Sequence, residues 1–65
     1  MNFTVNGKEH NMEIKTLVDL MSHYKIDSLS VVVEKNGVIV HRESYEGTLI
    51  EEGDRFEIVR FVGGG

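Results

Sequence analysis

The chain has no cysteine, no proline and no tryptophan. Without cysteine there is no disulfide framework, no thiolate zinc site and no cysteine nucleophile, so folding rests on packing alone. Long hydrophobic runs are missing too. The longest, Val31-Val32-Val33 and Val38-Ile39-Val40, fall far below the ~20 apolar residues that span a bilayer, and Met1 is followed by no basic-plus-apolar leader. A cytoplasmic protein with no membrane partner is expected. Bases are in the minority, seven against eleven acids for a net charge of −4, which argues against nucleic acid, whose phosphates require clustered Lys and Arg. Length is short as well: 65 residues bury only ~60% of the surface that the unfolded chain exposes. One thin core and no deep cleft argue against an enzyme acting alone.

The charge is unevenly spread. Residues 43–57 hold Glu43, Glu46, Glu51, Glu52, Asp54 and Glu57 against Arg55 alone. Such a stretch either steers a basic protein partner or is a solvated face that keeps the chain soluble, and both readings fit.

Asn2-Phe3-Thr4-Val5 alternates, and Asn6-Gly7 supplies the two positive-φ residues of a tight hairpin. Pairing across that turn sets Val5 opposite Lys8, Phe3 opposite His10 and Met1 opposite Met12, with Met1, Phe3, Val5 and Met12 on one buried face. Thr16, with Asp19 three residues on, forms a capping-box-like start. Leu17, Leu20, Met21 and Tyr24 then make one apolar stripe of a helix over residues 17–25, too short to persist unless it packs on a sheet. Residues 30–34 and 38–42, joined by a second Asn36-Gly37, predict another hairpin. Residues 43–50 lack a period and are expected as an irregular connection with one helical turn near Ser44 and Tyr45. Residues 51–54 form a turn, and residues 55–61 alternate as the last strand. This order predicts an α+β domain over residues 1–61, with one helix packed across a mixed sheet of four to five strands and a later strand beside the first. Residues 62–65 are expected as a flexible glycine tail.

The last strand has large apolar residues on both faces, Phe56 and Ile58 on one and Val59 and Phe61 on the other. One helix covers only one face. Val32, between inward-pointing Val31 and Val33, belongs to the same surplus, so Val32, Val59 and Phe61 form either a docking patch or ordinary scattered surface hydrophobes.

Conventional catalytic sets are absent. His10, His23 and His41 sit on three different elements with no metal-ligand spacing. No nucleophile turn supports a Ser/His/Asp set, and Glu51 and Glu52 share a solvated turn instead of forming an acid–base pair. What remains is Val62-Gly63-Gly64-Gly65. Without side chains, Gly63, Gly64 and Gly65 can thread a narrow channel and present a terminal carboxylate to a reagent inside another protein. A frayed end or an engineered glycine scar would read the same way. A phosphate-cradling loop is excluded, because no helix is expected after Gly65 to aim its amides.

Arg42-x-x-Tyr45, Glu52-Gly53-Asp54-Arg55-Phe56-Glu57-Ile58-Val59-Arg60 and Val62-Gly63-Gly64-Gly65, preceded by Asn36-Gly37 and Val38-Ile39-Val40, resemble the sulfur carrier proteins of thiamine thiazole biosynthesis. Val5-Asn6-Gly7 and Thr16-Leu17-x-x-Leu20 extend the resemblance over essentially the whole chain. It departs from the family at His41, where proline is common, at Glu13-Ile14-Lys15, which replaces a glycine-rich turn, and at Tyr45, where tryptophan is usual. The resemblance implies a ubiquitin-like β-grasp fold and a carrier that is no enzyme and binds no cofactor of its own. It also implies that an adenylyltransferase of the ubiquitin-activating type joins Gly65 to AMP from ATP. A sulfur donor such as a cysteine desulfurase then makes the thiocarboxylate that thiazole synthase receives. By the same resemblance Gly64 and Gly65 enter the activating enzyme, and Val59, Phe61 and Val62 line the docking surface. The charge pattern adds Glu51, Glu52 and Asp54 as acids near the tail that meet a basic rim. Two other readings stay open: the small subunit of molybdopterin synthase, and a ubiquitin-like interaction module whose terminus is never modified.

Overall fold

A computed structural model describes residues 1–61. Its elements are β1 (Asn2–Val5), β2 (Lys8–Asn11), α1 (Leu17–His23), β3 (Val31–Lys35), β4 (Val38–Val40), a single 3-10 turn over Arg42–Ser44, and β5 (Arg55–Arg60). The strands form one five-stranded sheet in the order β2-β1-β5-β3-β4. β1 and β5 run parallel at its centre, and the other neighbours are antiparallel. With α1 packed across one face, this is the β-grasp arrangement that the resemblance implies.

Both Asn-Gly pairs form the expected turns. Asn6 and Gly7 have φ of 53° and 80°, Asn36 and Gly37 of 52° and 86°, the left-handed geometry that matches the twist of a two-residue hairpin. The first hairpin keeps the predicted register, Phe3 opposite His10 and Val5 opposite Lys8. The asparagines also do something that their spacing did not reveal. Asn6 donates its Nδ2 to the Ile58 carbonyl at 3.0 Å and accepts the Ile58 N–H on Oδ1 at 2.8 Å. Asn36 Oδ1 accepts the Arg55 N–H at 2.9 Å. Each turn thus adds rungs to β5 beyond the strand ladder.

Helix α1 begins as predicted. Thr16 Oγ1 accepts the Asp19 N–H at 3.1 Å and Asp19 Oδ2 accepts the Thr16 N–H at 3.2 Å, satisfying two amides that the first turn leaves free. It ends at His23, two residues before the periodicity suggests, because Lys25 turns left-handed at φ 56°. Ile26 N–H then donates to the Met21 carbonyl at 2.8 Å and Lys25 N–H to that of Ser22 at 3.2 Å, a closure that usually uses glycine. Tyr24 therefore leaves the buried stripe and is 44% exposed, its ring edge-on to His10 and His23.

Leu17, Leu20 and Met21 bury against Phe3, Val31, Val33, Tyr45, Ile50, Phe56 and Ile58. Burial contributes ~1.5–3 kcal/mol for each such side chain, and a seven-residue helix has no other means of persisting. β4 stops at Val40, short of the predicted Arg42, because His41 caps the 3-10 turn whose Ser44 N–H donates to the His41 carbonyl at 2.8 Å. That turn delivers Tyr45 into the core.

Candidate functional site

β5 organises the molecule. Phe56 and Ile58 point under α1, while Val59 and Phe61 point away from it and are 58% and 50% exposed. Val32 lies directly across from Val59 in the β3–β5 ladder and is 42% exposed. The three predicted patch residues are therefore brought together on the uncovered face, at the end where β5 finishes. Leu29, also exposed, sits next to Ser30, whose carbonyl accepts the Phe61 N–H at 3.0 Å. Sequence reasoning passed over it, although a leucine between two serines in a loop was the available signal. The expectations on Val62, Gly63, Gly64 and Gly65, and on a flexible tail over residues 62–65, lie outside the described residues.

The predicted acidic rim is placed differently. Glu51, Glu52 and Asp54 precede β5, so they lie at its opposite end, beside the start of β1 and the Asn36-Gly37 turn. At ~3.3 Å per residue, the length of β5 separates Asp54 from Phe61 by roughly 20 Å. These acids cannot border a tail that leaves after Phe61. Asp54 is not a surface charge at all, being only 6% exposed. Its Oδ1 accepts Asn36 Nδ2 at 2.9 Å, and its Oδ2 accepts the Glu51 N–H at 2.8 Å and lies 3.3 Å from Lys35 Nζ. Lys35 Nζ also reaches Glu51 Oε1 at 3.2 Å and donates to the Leu49 carbonyl at 2.8 Å. Glu52 Oε1 takes the Asn2 N–H at 3.0 Å.

These contacts set the local electrostatics. Burial by itself would raise the Asp54 pKa, but the hydrogen bonds from Asn36 and the Glu51 amide, with the Lys35 ammonium, outweigh it and hold the carboxyl below the ordinary 3.8. Burial likewise opposes charge on Lys35, yet its bonds to Glu51 and Asp54 raise it above 10.5. The cluster is a clamp on the start of β5.

Other chemistry has little support among the described residues. His10 stacks on Phe3 at 5.6 Å, and no three His, Cys, Asp or Glu side chains group to hold a metal ion. No helix there is long and apolar enough to cross a membrane. An open cleft of about 460 Å³ lies at the clamped end, lined by Met1, Ile14, Leu49 and Ile50 with Glu13, Lys15 and Glu51. It is remote from the patch and brings no nucleophile–base pair together.

Comparison with known proteins agrees with this geometry. The model of the ThiS family matches residues 2–65. The chain is 36% identical to the sulfur carrier protein ThiS of Bacillus subtilis, across 94% of this chain and 96% of that one. It is 39% identical to a thiazole synthase of Paramagnetospirillum magneticum, over 100% of this chain but only 20% of the relative, so it spans a fifth of that protein's length. The crystal structure of the thiamine biosynthesis protein ThiS from Geobacter metallireducens superposes with a TM-score of 0.85 at 36% identity, covering 100% of both chains.

Proposed function

The chain belongs to the ThiS family, and from that premise we propose that it is a sulfur carrier of thiamine thiazole biosynthesis whose working atom is the Gly65 carboxyl carbon. In this role it is a protein substrate for other active sites and not a catalyst. One observation carries the reading: the uncovered apolar surface of Val32, Val59 and Phe61 sits at the end of β5 from which the chain continues into Val62-Gly63-Gly64-Gly65. A binding handle and a chain segment free of bulky side chains are thus consecutive.

The chemistry follows from the carboxylate. With a pKa of ~3.3–3.7 it is anionic at neutral pH and resists nucleophiles. A ubiquitin-activating-type adenylyltransferase attaches AMP from ATP, releasing pyrophosphate and giving the carbonyl a good leaving group. A sulfur donor such as a cysteine desulfurase then replaces the C–O bond to AMP with a C–S bond, and AMP departs. The resulting thiocarboxylate is a polarizable nucleophile on a chain that has no cysteine. Thiazole synthase is the proposed acceptor, supported by a relative of that name that contains a segment similar to this whole chain. Use of ATP places the cycle in the cytoplasm.

Intact-mass measurement after incubation with the activating enzyme, ATP and a sulfur donor tests this. The expected product gains the mass of one oxygen-to-sulfur exchange at Gly65 and passes that sulfur to thiazole synthase. Sulfur delivered only to a pterin precursor would defeat the thiamine assignment, and an unchanged mass would leave an interaction module. Gly64→Val should abolish loading, because a β-branched side chain does not fit a channel built for glycine. Its thermal midpoint should match the parent, since the buried core is complete by Ile58.

A further inference from the structure

The uncovered face of the sheet has an electrostatic defect at its centre. Glu34 on β3 and Glu57 on β5 are directly opposed in the ladder. Like charges at such positions repel. Both point away from α1, in the alternation that buries Val33, Phe56 and Ile58 beneath it. Ile39 completes the row beside Glu34, and Val32 and Val59 form the next row towards Phe61. Arg55 shares this face two residues from Glu57, but the ion pairs among the described residues involve only the N-terminus and Lys35, and neither Glu34 nor Glu57 takes part. Two like charges therefore lie among exposed aliphatic side chains with no cation bound to either.

Resting on the carrier reading, we infer that this face is the seat of the adenylating partner, which sets an arginine between Glu34 and Glu57 while its apolar surface covers Val32, Ile39 and Val59. The arrangement fits a guanidinium better than a compact ammonium. A planar fork donates to two carboxylates at once and tolerates aliphatic neighbours on its faces. A second copy of the chain does not suit the site, because face-to-face pairing would bring four carboxylates together between molecules that each carry −4. The arginine would sit four residues before Phe61, about 13 Å along β5 at ~3.3 Å per residue, so the same contact fixes the point from which the chain heads for the nucleotide.

Glu34→Gln and Glu57→Gln, singly and together, test the pair, with adenylation followed by pyrophosphate release. In the double variant the KM for the carrier should rise about tenfold with kcat little changed, and the salt dependence of KM should flatten as a charge-assisted contact is lost. Its thermal midpoint should hold or rise, because a repulsion within the sheet has been removed. That combination separates a docking role from a structural one. If the parent chain loads normally and the double variant matches it in KM and in salt response, the arginine contact is refuted while the carrier reading stands. A parent chain that is never adenylated takes both down. Concentration-dependent dimers that Val59→Asp dissolves would overturn the proposal in favour of a second copy.

Discussion

The two ends of β5 are built on opposite plans. At its start, the Asp54 carboxylate is buried and bonded to Asn36, the Glu51 amide and Lys35, and the Asp54 carbonyl accepts the Thr4 N–H at 2.9 Å. At its finish, Val59 and Phe61 stand in solvent on a face that nothing in the described chain covers. Polar groups that are buried must be paired, so they lock geometry, whereas exposed apolar groups wait for an outside surface. The difference explains how a chain of 65 residues keeps a rigid body and still offers a binding surface on the same strand.

Removing the clamp should give the largest stability loss. Asp54→Ala leaves the Asn36 amide, the Glu51 N–H and the Lys35 ammonium without their acceptor, a loss of roughly 2–4 kcal/mol. For a domain this small that lowers the thermal midpoint by about 10–25 °C, measurable by circular dichroism. Below the midpoint, loading at the far end should proceed at close to the parental rate. A variant that is stable but unloaded would break the division between the ends.

Acid should act on the same end. Because the Asp54 pKa is lowered by folding, its contribution is complete above the unfolded value near 3.8 and is lost as pH falls through the lower folded value. Lys35 is raised, so its share is present below 10.5 and fades as pH climbs past the folded value. Stability of the parent should therefore fall off below about pH 4. In Asp54→Asn the urea midpoint should start lower and depend less on pH across that range.

At the exit end the effect should move from stability to affinity. Val59→Thr with Phe61→Thr keeps strand-compatible side chains and removes apolar contact area. The KM of the adenylating partner should rise by about tenfold, equivalent to ~1.4 kcal/mol, while the urea midpoint stays within the error of a surface change. Equal losses in both measurements would mean that the two ends are not separate in function.

The sequence made the architecture legible wherever the signal was local. Asn6-Gly7, Asn36-Gly37 and the Thr16–Asp19 capping box act within a few residues, and alternation along β5 separated Phe56 and Ile58 from Val59 and Phe61. What it hid was long-range. Nothing near Asp54 announces that Asn36, 18 residues earlier, turns it inward. Nor does counting acids along the chain show which end of a strand they occupy, which is why Glu51 and Glu52 were expected beside the tail. The patch was readable as a surplus of apolar residues, but its opposed Glu34 and Glu57 appear only once β3 and β5 are in register.

The smallest expected effect tests how much strain the exit end carries. Among the described residues, positive φ falls on glycine or asparagine except at Lys25, which closes α1 at 56° just before the loop leading to Leu29 and Ser30. A lysine held there sacrifices ~1 kcal/mol that glycine would not. Glycine also raises the entropy of the unfolded chain, which takes back part of the gain. Lys25→Gly should then stabilise the domain by about 0.5 kcal/mol, seen as a small rise in urea midpoint at constant slope, with the KM for adenylation unchanged. If the KM shifts instead, Lys25 belongs to the docking surface and the strain there is retained for binding.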